Sequence, residues 1–319
     1  MTSANLVTTL IRRSVDIIKT EGVKGYVHAI RQYYQAYPPL RKNLSYYLKG
    51  KLAKDKLITK EIQGSTMYLN LDDFGLSKYL YLNGIREPEC TKLMHQLLKP
   101  GMTIVEIGAN IGYYALMEAT HLGPTGKIYA IEPLPSNYDL LTKNVALNNY
   151  QDIIELHHLA ISDKTGTTTL YVSDKHNLAN MLNANADGAV EVPTQTLDEF
   201  MKDKHLPDLI RMDIEGYEYY ILDGMKHTLQ ACQNCTMFIE VHPYQMYEKG
   251  LDYTKPLQQL FDAGFRPTYV VKEYGPQKEE SFAYTQSPDE FYDFLKAHQL
   301  TPPENTHGFG LFLTKHSTK

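Results

Sequence analysis

The stretch Ile104–Tyr114, IVEIGANIGYY, runs from a buried strand through a tight turn into the start of a helix. TIVEI is short, apolar and β-branched, and the helical spacing that follows extends from Ile111 to His121. Gly108 and Gly112 flank the turn, where missing side chains let backbone N–H groups approach an anion such as a carboxylate or phosphate. The order Gly108-Ala109-Asn110-Ile111-Gly112 is not the G-x-G-x-x-G of dinucleotide folds, which argues against NAD and FAD. It suits a ligand with a small carboxylate in place of a pyrophosphate.

Outward from this turn the chain alternates. KIYAIE reads as a strand, Ser136–Leu147 as a helix and IIELHHLAI as a strand. TTTLYV and VEVPTQTL interrupt the pattern as added antiparallel strands. It resumes with DLIRMD, a helix near Tyr217–Met225, the strand MFIEV, a helix near Tyr253–Ala263, the strand RPTYVV and a last strand GFGLFLTK. Alternation of this kind predicts an α/β fold with a mostly parallel sheet covered on both faces, and a ligand beyond the carboxyl ends of the strands near the switch point. Upstream, IQGSTMYLNL reads as a hairpin and Glu87–Leu98 as a helix ended by Lys99-Pro100-Gly101. Residues 5–35 have helical spacing that Pro38-Pro39 interrupts, and a second basic helical piece runs to about Lys56.

At 319 residues and 43% hydrophobic content the chain can bury a full core. No apolar run approaches the roughly 18–20 residues that cross a bilayer, and arginines break the N-terminal run where a secretory segment needs apolar residues. The expected location is therefore cytoplasmic, with a membrane-peripheral placement left open. Cys90, Cys232 and Cys235 make no disulfide framework, and the CxxC of the last two lacks a second pair at zinc spacing. Residues 1–60 carry twelve lysines and arginines against Asp16, Glu21 and Asp55, a balance of +9 in a chain whose net charge is −5. Six tyrosines are interleaved with that charge. Such a segment could dock on its own acidic body, on an anionic membrane or on a phosphate-rich partner. The predicted division is a basic helical arm, 1–60, and an α/β domain, 61–319. The acidic body opposes nucleic acid as a partner.

Glu132 closes the KIYAIE strand, 26 residues after Glu106. An acid at that strand tip can accept hydrogen bonds from both hydroxyls of a ribose, and Glu106, just before the glycine turn, could hold an ammonium group. A ligand that combines ribose, ammonium and carboxylate is S-adenosylmethionine.

At this point the sequence resembles the FkbM family of S-adenosylmethionine-dependent methyltransferases. FGLSKYLYLNGIREPE (Phe74–Glu89), VEIGANIGYY, IYAIEPLPSNYDLLTKNVALNN, LAISDKTGTTTLYV, QTLDEF, DLIRMDIEGYE and IEVHP carry the resemblance, in the family's order, from Phe74 to Pro243. It implies the seven-stranded, Rossmann-like class I methyltransferase sheet with an antiparallel last strand, and O-methylation of hydroxyls on sugars, polyketides and related molecules. It further implies that Glu106, Gly108, Asn110 and Gly112 line the methionine end of the cofactor, Glu132 the ribose, and Ala160 to Asp163 the adenine. Glu106 stands where aspartate is more usual and Arg211 where lysine is common. Residues 1–60 and much of the chain after Pro243 lie outside the resemblance, which leaves the acceptor weakly constrained.

RMDIEGYEYY (Arg211–Tyr220) places Asp213, Glu215 and Glu218 just beyond the DLI strand. A hydroxyl is a poor nucleophile until its proton leaves, and Asp213 or His242, next to Glu240, could take it. Alternatively Asp213 with Glu215 or Glu240 could hold a magnesium-like ion, since hard cations take oxygen ligands; a bound metal is not the favoured reading. In the bland reading Glu215 caps the next helix and Glu218 holds a loop or an arginine such as Arg211. Neither N-P-P-Y, D-P-P-Y nor a Pro-Cys nucleophile follows the DLIRMD strand, which argues against methylation of base nitrogens or pyrimidine carbons. The expected function is O-methylation of a glycan, glycolipid or other small hydroxylated metabolite. A non-catalytic cofactor-binding protein recruited to an anionic partner, and a methyltransferase acting on nitrogen or nucleic acid, are the alternatives. A homodimer is left open.

Overall fold

The computed structural model describes residues 38–173, 178–180, 188–273, 279–285 and 287–316. The helix expected over residues 5–35 and most of the basic arm lie outside the described residues. The chain divides into two units after Lys56. In the first, helix α1 (Pro38–Leu52) starts on the Pro38-Pro39 pair, because proline at a helix N-terminus loses no intrahelical hydrogen bond.

The second unit opens with the hairpin β1 (Leu57–Ile62) and β2 (Ser65–Asn70), paired Ile62 to Ser65. Its two-residue turn, Gln63-Gly64, has φ of 49° and 81°, the positive pair whose twist matches a tight hairpin. Helices α2 (Leu76–Asn83) and α3 (Pro88–Leu97) follow. Then come β3 (Thr103–Ile107), α4 (Tyr113–Leu122), β4 (Lys127–Ile131), α5 (Pro135–Leu147), β5 (Ile154–His157), β6 (Ala160–Ile161), β7 (Gly166–Ser173), β8 (Leu178–Asn180) and β9 (Gly188–Gln195). The second half holds α6 (Leu197–Phe200), β10 (Leu209–Met212), α7 (Glu218–Ile221), α8 (Lys226–Ala231), β11 (Cys235–Val241) and α9 (Pro243–Glu248). It ends with α10 (Thr254–Asp262), β12 (Arg266–Glu273), β13 (Glu279–Ala283), α11 (Phe291–Ala297) and β14 (Phe309–Lys315).

The main sheet has the order β13-β12-β14-β11-β10-β3-β4-β5. Neighbours among β5, β4, β3, β10 and β11 run parallel, and β14 is antiparallel to both β11 and β12. Seven of the strands thus form the class I methyltransferase sheet, with its antiparallel strand between the two it separates. An eighth, β13, adds to the edge, antiparallel to β12. Its sequence EESFA is polar and mostly exposed, so it lacks the apolar signal that marks the central strands. IIELHHLAI, expected as one strand, divides at Leu159. Its first part, β5, joins the main sheet and its second, β6, pairs with β9 in a separate β6-β9-β7-β8 sheet. TTTLYV and VEVPTQ do form antiparallel strands, β7 and β9.

The strands alternate between two cores. Val105, Ile107, Ile210, Met212, Met237 and Ile239 pack on one face, whereas Ile104, Leu209, Phe238 and Phe312 pack on the other. A period of two therefore carries Glu106, Arg211 and Glu240 onto the second face, side by side on three adjacent strands. The chain leaves β3 toward β4 and β5 in one direction and leaves β10 toward β11 in the other. The loops after β3 and β10 flank that switch point, the position where open α/β sheets bind ligands.

Candidate active site

The glycine turn after β3 is built for close approach. Gly108 and Gly112 have φ of 83° and 96°, and Asn110 shares the left-handed conformation at 51°. A Cβ on Gly108 would stand 2.2 Å from the carbonyl oxygen of Asp213, which binds the two switch-point loops together. The Asn110 N–H donates to Glu132 Oε2 at 2.8 Å and the Leu134 N–H to its Oε1 at 2.9 Å, so Glu132 is fixed against the turn. Burial pushes the acid up to about 7 despite those N–H donors and a side-chain hydrogen bond from Asn137. Ala160 is buried in β6, and Asp163 just beyond it accepts from Ser162 Oγ at 2.9 Å and from Tyr217 Oη at 3.1 Å. Five of the expected cofactor residues therefore belong to connected loops: Gly108, Asn110, Gly112 and Glu132 directly, and Asp163 through Tyr217 of the β10 loop. The turn's own N–H groups are committed to Ile131, Glu132, Asn110 and Ala109, so what it offers a ligand is close approach of backbone beside a strand-tip acid.

Glu106 has another role than the ammonium contact expected of it. Fully buried, it accepts from Arg211 Nη1 at 2.9 Å. Burial pushes it up to about 7 against the pull of Arg211, and burial raises the adjoining Glu118 of α4 as well. Glu106 Oε2 and both oxygens of Glu118 are buried with no other hydrogen-bond partner among the described residues. Arg211 is the centre of this face. Its Nη2 donates to Glu240 Oε1 at 2.7 Å and to Asp213 Oδ2 at 3.3 Å, and its guanidinium lies 4.3 Å from the Tyr114 ring centroid. Lysine, the residue more common here in the resemblance, offers one compact ammonium and could not reproduce a fork that spans three strands.

A second cation completes the cluster. Arg86, in the loop before α3, pairs with Glu87 and reaches Asp213 Oδ2 and Glu240 Oε2 at 3.7 Å each. Tyr114 Oη donates to Glu87 at 2.7 Å. Burial acts to raise Glu87, but Arg86 and Arg211 outweigh it and hold the acid at about 2. Glu240, weighed as a base from its place beside His242, is 4% exposed and bound by both guanidiniums. Burial, then Asp213 and Glu87, raise its pKa, and its geometry is that of a residue positioning the arginines.

The acids of the DIEGYE turn separate clearly. Asp213 is partly exposed, and its Oδ1 is buried without a hydrogen-bond partner while Oδ2 faces the arginines. Glu215 does not cap a helix: its φ is 53°, its side chain accepts from Gln245 Nε2 at 2.9 Å, and Tyr217 precedes α7. Glu218 contacts no arginine. Buried at 2% exposure, it accepts from the Gly216 N–H at 3.2 Å and faces His242 Nδ1 at 3.0 Å. His242 Nε2 stands 3.8 Å from Glu215 Oε2. Burial opposes the imidazolium, but Glu218, Glu215 and Asp213 together raise its pKa well above the ordinary range. Asp213, Glu215 and His242 each direct a ligand atom into one space, all three atoms lying within 4.8 Å of one another.

Sequence reasoning did not single out Arg86, Glu87, Tyr114 or Glu118. Arg86 and Glu87 lie within the GIREPE segment of the resemblance, but nothing local tells that they reach β10 and β11. Glu118 follows Tyr114 by one helical turn, a spacing that places both on the same face of α4.

The family model of the methyltransferase FkbM domain matches residues 106–267, just over half of the chain. The chain belongs to the FkbM methyltransferase family. The FkbM match begins at Glu106 of β3 and ends at Pro267 in β12, so it contains the glycine turn, Glu132, the DIEGYE turn and His242. A protein-L-isoaspartate O-methyltransferase of Methanococcoides burtonii is 37% identical over 24% of this chain and 39% of its own length. The hexuronic acid methyltransferase AglP of Haloferax volcanii is 24% identical over 49% of this chain and 62% of its own length. The chain thus spans less than two thirds of each of these relatives. A solved structure of methyltransferase FkbM from Methylobacillus flagellatus is 17% identical with a TM-score of 0.39, over 64% of this chain and 51% of that one.

Proposed function

We propose that this FkbM-family chain is an S-adenosylmethionine-dependent O-methyltransferase whose acceptor is a hydroxyl of a glycan, glycolipid or other small hydroxylated metabolite. One observation carries the reading: the glycine cradle with Glu132 abuts the Asp213 loop at the switch point, at the 2.2 Å approach recorded for Gly108. Cofactor-type and acceptor-type groups thereby lie on adjoining loops. The bound cofactor supplies a methyl group already activated by positive charge on sulfur, so positioning contributes much of the rate. Gly108, Asn110 and Gly112 hold the methionine end and Glu132 the ribose. Ala160 and Asp163 lie on the adenine side. Asp213 receives the acceptor: its Oδ1 is free to take the hydroxyl's hydrogen bond while Arg211 and Arg86 hold Oδ2. His242 is held on the acceptor side, its Nδ1 against Glu218 and its Nε2 turned toward Glu215. The sugar-acid acceptor in the name of the Haloferax relative supports a carbohydrate-like substrate.

Calorimetry with S-adenosylmethionine tests the first step. Binding is expected in the wild type and weakened in Glu132→Ala; no binding, or an unchanged variant, would sink the cofactor assignment. A transfer screen with labelled methyl donor over hydroxylated sugars and lipids, alongside amines and nucleic acids, tests the second. Label on a nitrogen acceptor alone would overturn the hydroxyl reading. The basic arm of residues 1–60 is the segment proposed to approach an anionic membrane. Cosedimentation of a chain beginning near residue 61 with anionic vesicles, undiminished from full length, would reject that role.

None of the described helices is long and apolar enough to cross a membrane.

A further inference from the structure

We infer that Asp213, Glu215 and His242 form a site for a first-row divalent cation at the acceptor side of the proposed methyltransferase site. The three ligand atoms lie within 4.8 Å of one another, and small side-chain rotations would bring them to the roughly 3 Å edge of an octahedron with bonds of about 2.1 Å. The residues lie just beyond two adjacent strands, β10 and β11, which pair side by side in the sheet.

The histidine separates this cluster from an ordinary group of surface acids. Its Nδ1 meets Glu218 Oε1 at 3.0 Å, and Glu218 is itself 2% exposed and anchored by the Gly216 N–H. A metal-binding histidine characteristically donates its second ring nitrogen to a carboxylate, which fixes the tautomer and aims the other lone pair. Here that leaves Nε2 turned toward Glu215 Oε2, 3.8 Å away. Glu215 is steadied in turn by Gln245.

Charge balance makes a separate argument. Seven carboxyls (Glu87, Glu106, Glu118, Asp213, Glu215, Glu218 and Glu240) converge around Arg86, Arg211 and His242. Arg86 and Arg211 are shared among Glu87, Glu106, Glu240 and Oδ2 of Asp213. Glu215 meets no arginine or lysine among the described residues, and Asp213 Oδ1 has no hydrogen-bond partner. Buried negative charge of this density is stable when protonated or neutralised by a metal. Two carboxylates with one imidazole are borderline donors that first-row divalent ions accept, and Mn2+, which its paramagnetism makes easy to follow, is the probe for the site. Glu240, the alternative partner weighed from sequence, is set apart because each of its oxygens faces a guanidinium, whereas Asp213 keeps Oδ1 without a partner.

This inference rests on the methyltransferase reading for its role: a cation held by these residues would lower the pKa of the acceptor hydroxyl, the part otherwise left to Asp213 Oδ1. Its binding can be tested without that reading. Titration of the full chain with Mn2+, followed by electron paramagnetic resonance, should show one saturable site. Affinity should fall at least tenfold in Glu215→Gln and in His242→Ala, and by about tenfold in Glu218→Gln, where only the orienting carboxylate is lost. S-adenosylmethionine affinity, measured on the same samples, should stay within twofold and so report correct folding. Saturable Mn2+ binding that all three variants retain, or no saturable binding by wild type that binds S-adenosylmethionine, would overturn the site. Mn2+ binding lost in the variants, in a chain that does not bind S-adenosylmethionine, would uphold the site and defeat the methyltransferase reading alone.

Discussion

Gly108 and the carbonyl of Asp213 are so close that any side chain on the glycine would begin 2.2 Å from that oxygen. The φ of 83° at Gly108 adds backbone strain for every other residue. Gly108→Ala is expected to destabilise the chain by about 3 kcal/mol, combining that strain with displacement of the β10 loop. Gly188, with nothing within 4 Å of its Cβ position, is the control: Gly188→Ala should change stability by less than about 0.5 kcal/mol. Denaturant unfolding of the two variants checks both.

Arg211 links Glu106, Asp213 and Glu240 on three strands. Arg211→Met leaves those acids without their shared cation, and removing one partner of a buried ion network typically costs about 3–5 kcal/mol. Arg211→Lys should fall between, since charge remains but the fork and the stack on Tyr114 are lost. The order wild type, lysine, methionine in unfolding midpoint is the measurement. A lysine variant equal to wild type would show that charge alone suffices.

Glu132 sets a pH dependence. Burial raises it from 4.5 to about 7, so near pH 6 most of the folded protein carries the protonated acid. The ionised form is the better acceptor for two ribose hydroxyls, so S-adenosylmethionine affinity should rise with pH, approaching a plateau above about 7. Below that value it should fall by up to about tenfold per pH unit. Calorimetry from pH 5.5 to 8.5 reads the slope directly. Glu132→Gln should flatten it and weaken binding about tenfold to a hundredfold at pH 8, as expected when hydrogen bonds to a charged group are lost.

Tyr217 ties the DIEGYE turn to Asp163 and Ser162. Tyr217→Phe keeps the ring and removes the hydroxyl, so stability should drop by about 1 kcal/mol. Cofactor affinity should fall several-fold as the Asp163 loop loosens. Equal affinity in the variant would detach Asp163 from the cofactor site.

The strands that could be read were those buried on both faces. TIVEI, LIRM and CTMFIEV are nearly continuous apolar runs because a parallel sheet covers both sides of each, and the glycine turn after β3 carries its own backbone signature. β13 escaped notice because an edge strand with exposed residues has neither alternation nor an apolar run. IIELHHLAI hid its break at Leu159, since sequence does not record which sheet a strand will join.

The site followed the same division. Local chemistry alone determined the cradle of Gly108, Asn110 and Gly112, the strand-tip acid Glu132 and the crowding of carboxylates after β10, because each depends on neighbours within a few positions. Only the tertiary structure decided their partners. Glu106 meets Arg211 across 105 positions and His242 meets Glu218 across 24, through strand register and the period-two alternation of adjacent strands. Pairing at that separation costs loop entropy that packing of the whole sheet offsets, so no short segment carries its signal.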